Sequence, residues 1–144
     1  MPMIKYEYFK DSRLLITKYI GEIKKESIKS YISYILSTSD FDDLENEIAD
    51  YRDSNLLFDP KDLKDLAQIR YEIEADRIPN QTVFLVDAPR ETALVLLISR
   101  MHNKNLKPSY FCSTLKNCIH LLSLDIKDHE LNRRLNELKF EFND

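Results

Sequence analysis

The amino-acid sequence predicts an α/β fold: a mostly parallel, about five-stranded sheet, opened by an antiparallel hairpin strand, with helices packed on it. Three observations carry this expectation. Apolar residues repeat at a period of two near the N-terminus and at helical spacing afterwards. Strand-like and helix-like segments then alternate, the order of a parallel sheet with right-handed helical crossovers. The run Thr82-Val83-Phe84-Leu85-Val86 is almost continuously apolar, as a parallel strand covered on both faces is.

Taken in order, Ile4 to Phe9 alternates apolar and polar, Lys10-Asp11-Ser12-Arg13 is turn-like, and Leu14 to Ile20 is a second β-rich run. These two form an antiparallel hairpin, and Gly21 breaks the second strand. From about Lys25, Ile28, Tyr31, Ile32, Ile35 and Leu36 fall on one helical face, which Ser37-Thr38-Ser39-Asp40 ends. Glu47 to Tyr51 is a short strand. Asp59 as N-cap before Pro60 starts a helix that Leu63, Leu66, Ala67, Arg70 and Ile73 continue and Pro79 follows. After the strand at Thr82, Pro89 opens another helix, with Glu91 in its first turn and Leu94, Leu97, Ile98 and Met101 along one stripe. Ser109 to Phe111 is the last strand, and helical segments at Leu115–Leu122 and Glu130–Leu138 close the chain. Leu131, Leu135 and Leu138 make an i, i+4, i+7 stripe in the latter. The order abbreviates to ββαβαβαα within a single domain, 1–144, to which a C-terminal helix at 126–140 is an appendage.

A length of 144 residues suits one domain with a sizeable core. Apolar residues make up 43% and charged residues 32%, so the chain has a globular composition. A net charge of −4, with basic residues paired only at Lys24-Lys25 and Arg133-Arg134, argues against a nucleic-acid partner. The longest apolar run, Ala93 to Ile98, is too short for a membrane span, and the N-terminus lacks an apolar leader, so a cytoplasmic location is expected. One glycine, Gly21, cannot build a Walker loop or a dinucleotide fingerprint. Cys112 and Cys118 lie six apart without CxxC spacing, and His102, His120 and His129 stand at no ligand spacing to them. The cysteines are therefore expected to be small buried hydrophobes, with no metal and no cofactor.

The arrangement resembles the SpoIIAA-like (STAS-like) family of small bacterial proteins over residues 4–124. The likeness rests on a hairpin closing on Gly21 before an amphipathic helix and on Asp50-Tyr51-Arg52 at a strand end. It continues with the capped Asp59-Pro60-Lys61-Asp62-Leu63 start, a strand and helix ending in Ser99-Arg100-Met101, and Tyr110-Phe111 leading to a short helix that ends in Leu121-Leu122. The resemblance implies a sheet backed by helices and no catalysis. In the anti-sigma-factor antagonists that give the family its name, a serine at a helix start is phosphorylated. Here Asp59-Pro60 stands at that start, and Ser54 lies in the preceding loop.

In an open α/β sheet, ligands bind beyond the carboxyl ends of the parallel strands. The candidates there are Asp50, Arg52, Asp87, Arg90 and Ser113, with Thr114 beside it. Two carboxylates with two arginines can hold a metal or a small anion; equally, Asp87 and Ser113 can cap helices while Arg52 pairs with Asp50. The block Thr92 to Ile98 is apolar nearly all round, so a second element covers its outer side. That cover is the C-terminal leucine helix, a second subunit, or a ligand in an apolar groove, with Val95, Leu96 and Ile98 as the self-association candidates. The expected function is a non-catalytic regulatory or protein-interaction module with a protein partner, including itself as a homodimer. The alternative is a carrier of a small apolar or amphipathic ligand in a pocket under the helix that opens at Pro89. An enzyme is not expected.

Overall fold

A computed structural model describes residues 2–62, 65, 79–102 and 109–143. Its elements are β1 (Met3–Phe9), β2 (Leu14–Ile23), α1 (Lys25–Ser37), β3 (Asn46–Leu56), β4 (Gln81–Leu85), α2 (Pro89–His102), β5 (Ser109–Cys112), α3 (Leu115–Leu122), α4 (Asp128–Asn136) and β6 (Phe140–Phe142). Short 3-10 turns occupy Ser39–Phe41 and Pro60–Asp62. The strands form one six-stranded sheet in the order β5-β4-β3-β2-β1-β6. The pairs from β2 to β5 are parallel, while β1 is antiparallel to both of its neighbours.

Helices cover both faces, and the strand sequences follow from that. Leu14, Leu15, Ile16 and Thr17 are all fully buried, so β2 is apolar on both sides rather than alternating. Leu15, Tyr19 and Ile23 of β2 join Ile28, Tyr31 and Ile35 of α1 and Leu94 of α2 in one core. Leu14 and Ile16 join Ile48, Val83 and Leu85 against Cys118 and Leu122 of α3 and Leu131 and Leu135 of α4 in the other.

The mixed sheet agrees with the sequence, and five details correct it. The abbreviation ββαβαβαα lacks one strand–helix unit and β6. The C-terminal helix stops at Asn136, and Phe140-Glu141-Phe142 pairs with β1, which is therefore not an edge strand. Leu138 still reaches the core, but from the connecting turn. The leucines of α4 belong to the opposite core from Leu94, so α4 does not cover the Pro89 helix. Gly21 bends β2 at φ 80° without ending it, because pairing with β3 continues to Ile23↔Leu56. That same pairing makes β3 eleven residues long and places Ser54 within it, not in a loop. Most of the helix expected after Pro60 lies outside the described residues. At its start Asp59 Oδ1 accepts the Lys61 amide at 3.1 Å, as a cap does.

Candidate functional site

β2 and β3 overrun the carboxyl ends of β4 and β5, and Asp50 sits at the level where β4 ends, opposite Leu85. Asp50 and Arg52 therefore lie within β3 and not at its tip. Between Lys18↔Asp50 and Ile20↔Asp53 the register slips, so Tyr51 and Arg52 together oppose Tyr19. This bulge frees the Arg52 amide from the ladder, and Asp50 takes it. Asp50 Oδ1 accepts from the Arg52 amide at 3.0 Å and from Nε at 2.9 Å, while Oδ2 accepts from Nη2 at 2.9 Å. Asp50 is 1% exposed, so a buried carboxylate is closed off by its own neighbour's guanidinium. On the other side of the bulge, Tyr19 and Tyr51 stack face to face, centroids 4.4 Å apart.

The remaining candidates separate. Arg90 does not meet Arg52: Nη1 donates to the Leu56 carbonyl and Nη2 to the Phe58 carbonyl at 2.8 Å. Buried Glu91 accepts the Leu56 amide at 3.3 Å, so the first turn of α2 holds both backbone groups at the end of β3. Asp87 is exposed, and its charge is among those that raise the Arg52 pKa, after the Asp50 hydrogen bond. Ser113 is exposed, and Thr114, not Ser113, caps α3 by accepting the Asn117 amide at 3.2 Å. Leu94 is buried and Leu96 half-buried, whereas the side chains of Val95 and Ile98 lie outside the described ones.

Sequence reasoning missed a contact beside this bulge. The thiols of Cys112, at the end of β5, and Cys118, in α3, lie 3.5 Å apart. Cys118 is a buried apolar-core residue as expected, but Cys112 is only half-buried. The hydrogen bond between the two thiols lowers the Cys112 pKa to about 7, opposed by burial and helped by the Arg52 charge. The same hydrogen bond, together with burial, pushes the Cys118 thiol up. Cys112 lies in a strand and Cys118 in the following helix, so no single period relates them and only the folded strand–cap–helix turn reveals the pair. Among the described residues no group of three or more His, Cys, Asp or Glu side chains is placed to hold a metal ion.

A second feature lies at the β6 side of the sheet. Tyr6, Tyr8, Lys10, Tyr34, Asp40, Phe41 and Phe140 line a cleft of about 300 Å³. Phe140, 53% exposed, stacks on Tyr6 with centroids 5.7 Å apart. Tyr8 donates to Asp43 at 2.6 Å, and the Tyr6 and Tyr34 hydroxyls meet at 3.3 Å. Burial first, then the Asp43 bond, pushes the Tyr8 phenol up, and that bond pulls the Asp43 carboxyl down. The cleft is bounded by β1, α1, the turn at Ser39–Phe41 and β6, away from the helix under which a pocket was expected. The leucine stripe that runs on to Leu138 hides Phe140 behind an apparent helix end.

No family model matches the chain, and no curated protein matches it. Among solved structures it is similar to an uncharacterised protein of the DUF3478 family with a SpoIIAA-like fold, from Shewanella loihica PV-4. The two share 12% identity at a TM-score of 0.56, over 85% of this chain and 95% of the other. The fold is therefore SpoIIAA-like, as the sequence resemblance implied. No helix among the described residues is long and apolar enough to cross a membrane.

Proposed function

Given a SpoIIAA-like sheet with β6 at its edge, we propose that the chain is a non-catalytic regulatory module whose protein partner includes a second copy of itself, paired along β6. The observation that carries this reading is the edge sequence Lys139-Phe140-Glu141. An antiparallel two-fold pairing centred on Phe140 sets each Lys139 opposite the other copy's Glu141 and brings the two exposed Phe140 rings together. The β1–β6 register already alternates charge in this way, with Lys139 Nζ 3.7 Å from Glu7 and Glu141 opposite Lys5. The non-catalytic part is supported by how the carboxyl-end polar groups are engaged: Asp50 is held by Arg52, and Arg90 and Glu91 by the end of β3.

Light scattering at tens of micromolar, with circular dichroism as a folding control, tests this. The parent is expected to be a dimer, Lys139→Glu a folded monomer, and the swapped pair Lys139→Glu/Glu141→Lys a dimer again. A monomeric parent sinks the self-association reading. A folded Lys139→Glu dimer moves the contact away from β6, and the apolar block of α2, probed by Val95→Glu, is then the surface to test.

The carrier reading has one observation in its favour, the aromatic cleft. Its volume is at the small end of ligand pockets, and its tyrosine hydroxyls and Asp40 suit a small amphipathic molecule. Native mass spectrometry of the purified protein separates the two readings, since a carrier shows added ligand mass on the monomer.

A further inference from the structure

The Cys112–Cys118 contact joins three features that a structural pair of thiols does not need. The two sulfurs are 3.5 Å apart, one thiol is half-buried and the other fully buried, and the Arg52 charge acts on both. A disulfide requires about 2.05 Å between sulfurs, so the pair must close by roughly 1.5 Å. Both ends are fixed around that gap: Cys112 ends β5 in register with Leu85, and Cys118 lies one turn beyond the Thr114 cap.

We propose that Cys112 and Cys118 form a reversible dithiol–disulfide site that reacts with hydrogen peroxide, with Cys112 as the attacking thiol and Cys118 as the resolving one. This goes beyond the interaction reading and stands independently of it. In the first step the Cys112 thiolate attacks one peroxide oxygen. An S–O bond forms, the O–O bond breaks, and the departing hydroxide takes a proton to become water, leaving a sulfenic acid. In the second step the Cys118 sulfur attacks the Cys112 sulfur. The S–S bond forms, the S–O bond breaks, and the hydroxyl leaves as a second water with the Cys118 proton. Two thiols lose two electrons in total, and one peroxide gains them. A thiol reductant reverses the outcome by exchange.

The order of attack follows from the site. Only Cys112 is reachable by solvent, and its thiolate is favoured by the Cys118 hydrogen bond and the Arg52 charge. Cys118 is buried and holds its proton, so it enters only once a sulfenic acid lies against it. The ring closed is small and lies entirely within one strand–turn–helix unit.

The test treats the reduced protein with stoichiometric hydrogen peroxide and follows intact mass and peptide maps under thiol-blocking conditions. The expected product is a monomer lighter by two hydrogens, with Cys112 linked to Cys118 and the mass restored by dithiothreitol. Cys118→Ser is expected to stop at a Cys112 sulfenic acid that dimedone traps, while Cys112→Ser is expected to remain a thiol under the same dose. A parent that keeps both thiols, or links Cys112 only between molecules, overturns the proposal. Dimedone trapping at Cys118 in Cys112→Ser, at the parent's rate, overturns the assignment of the attacking thiol. Should a serine at buried position 118 unfold the protein, the peptide map of the parent alone still decides whether the bond forms.

Discussion

The guanidinium of Arg52 closes over the carboxylate of Asp50, two residues earlier on the same strand, through two hydrogen bonds of 2.9 Å each. The pair is asymmetric, because Asp50 is 1% exposed and the Arg52 side chain 26%. Arg52→Ala leaves a buried carboxylate with only the backbone amide, at a cost of about 3 kcal/mol, the low end for breaking a buried pair because Arg52 is partly solvated. Asp50→Asn leaves an arginine that can turn to water and keeps an acceptor for the amide, so about 1–2 kcal/mol is expected. Urea unfolding of both variants checks this, and equal losses contradict the asymmetry.

Glu91 is expected to matter for stability and not for chemistry. Its carboxylate is the acceptor for the buried Leu56 amide, so Glu91→Ala orphans that donor and costs about 1–3 kcal/mol. Glu91→Gln keeps an acceptor and should lose clearly less. Hydrogen exchange at the Leu56 amide should quicken in the alanine variant before exchange in β4 does.

The Tyr8–Asp43 bond ties stability to pH at both ends of the scale. The Tyr8 hydroxyl holds the Asp43 carboxyl below its ordinary 3.8. A carboxylate with a depressed folded pKa contributes fully above its unfolded value, and the contribution is lost as pH falls through the folded one. Tyr8 itself is raised above its ordinary 10.0, first by burial and then by Asp43. Its contribution is complete below that value and is lost as pH rises through the raised one. Tyr8→Phe is therefore expected to lower Tm near neutrality and to flatten its fall as pH drops below the ordinary carboxylate value of 3.8. An unchanged acid limb argues against the bond.

Reading the chain by periodicity recovered the alternation of strands and helices because each of those segments spends its apolar residues on one or two buried faces. β6 escaped it for a physical reason. Three residues carry too little alternation to stand out, and Leu138 extends a leucine stripe past the true helix end at Asn136. The second half of β3, Asp53-Ser54-Asn55, has poor strand propensity and is extended only because β2 runs beside it. At the site, the pairing of Asp50 with Arg52 was legible from their i, i+2 spacing on one strand face. The Cys112–Cys118 contact was not, since it depends on how a capped turn folds back. The role of Glu91 was hidden as well, because an acidic residue in a first helical turn looks like a response to the helix dipole alone.

The position of β1 has a consequence for synthesis. Its inner side pairs with β2 across a four-residue turn, but its outer side waits for Phe140 to Phe142. At roughly 5–20 residues per second, a ribosome needs on the order of ten seconds between making Tyr6 and making its partner Phe140. For that interval the nascent hairpin shows an open row of backbone donors and acceptors from Ile4 to Tyr6. Crowded polysomes put neighbouring copies of that row within reach of each other, and the late arrival of β6 is what retires it.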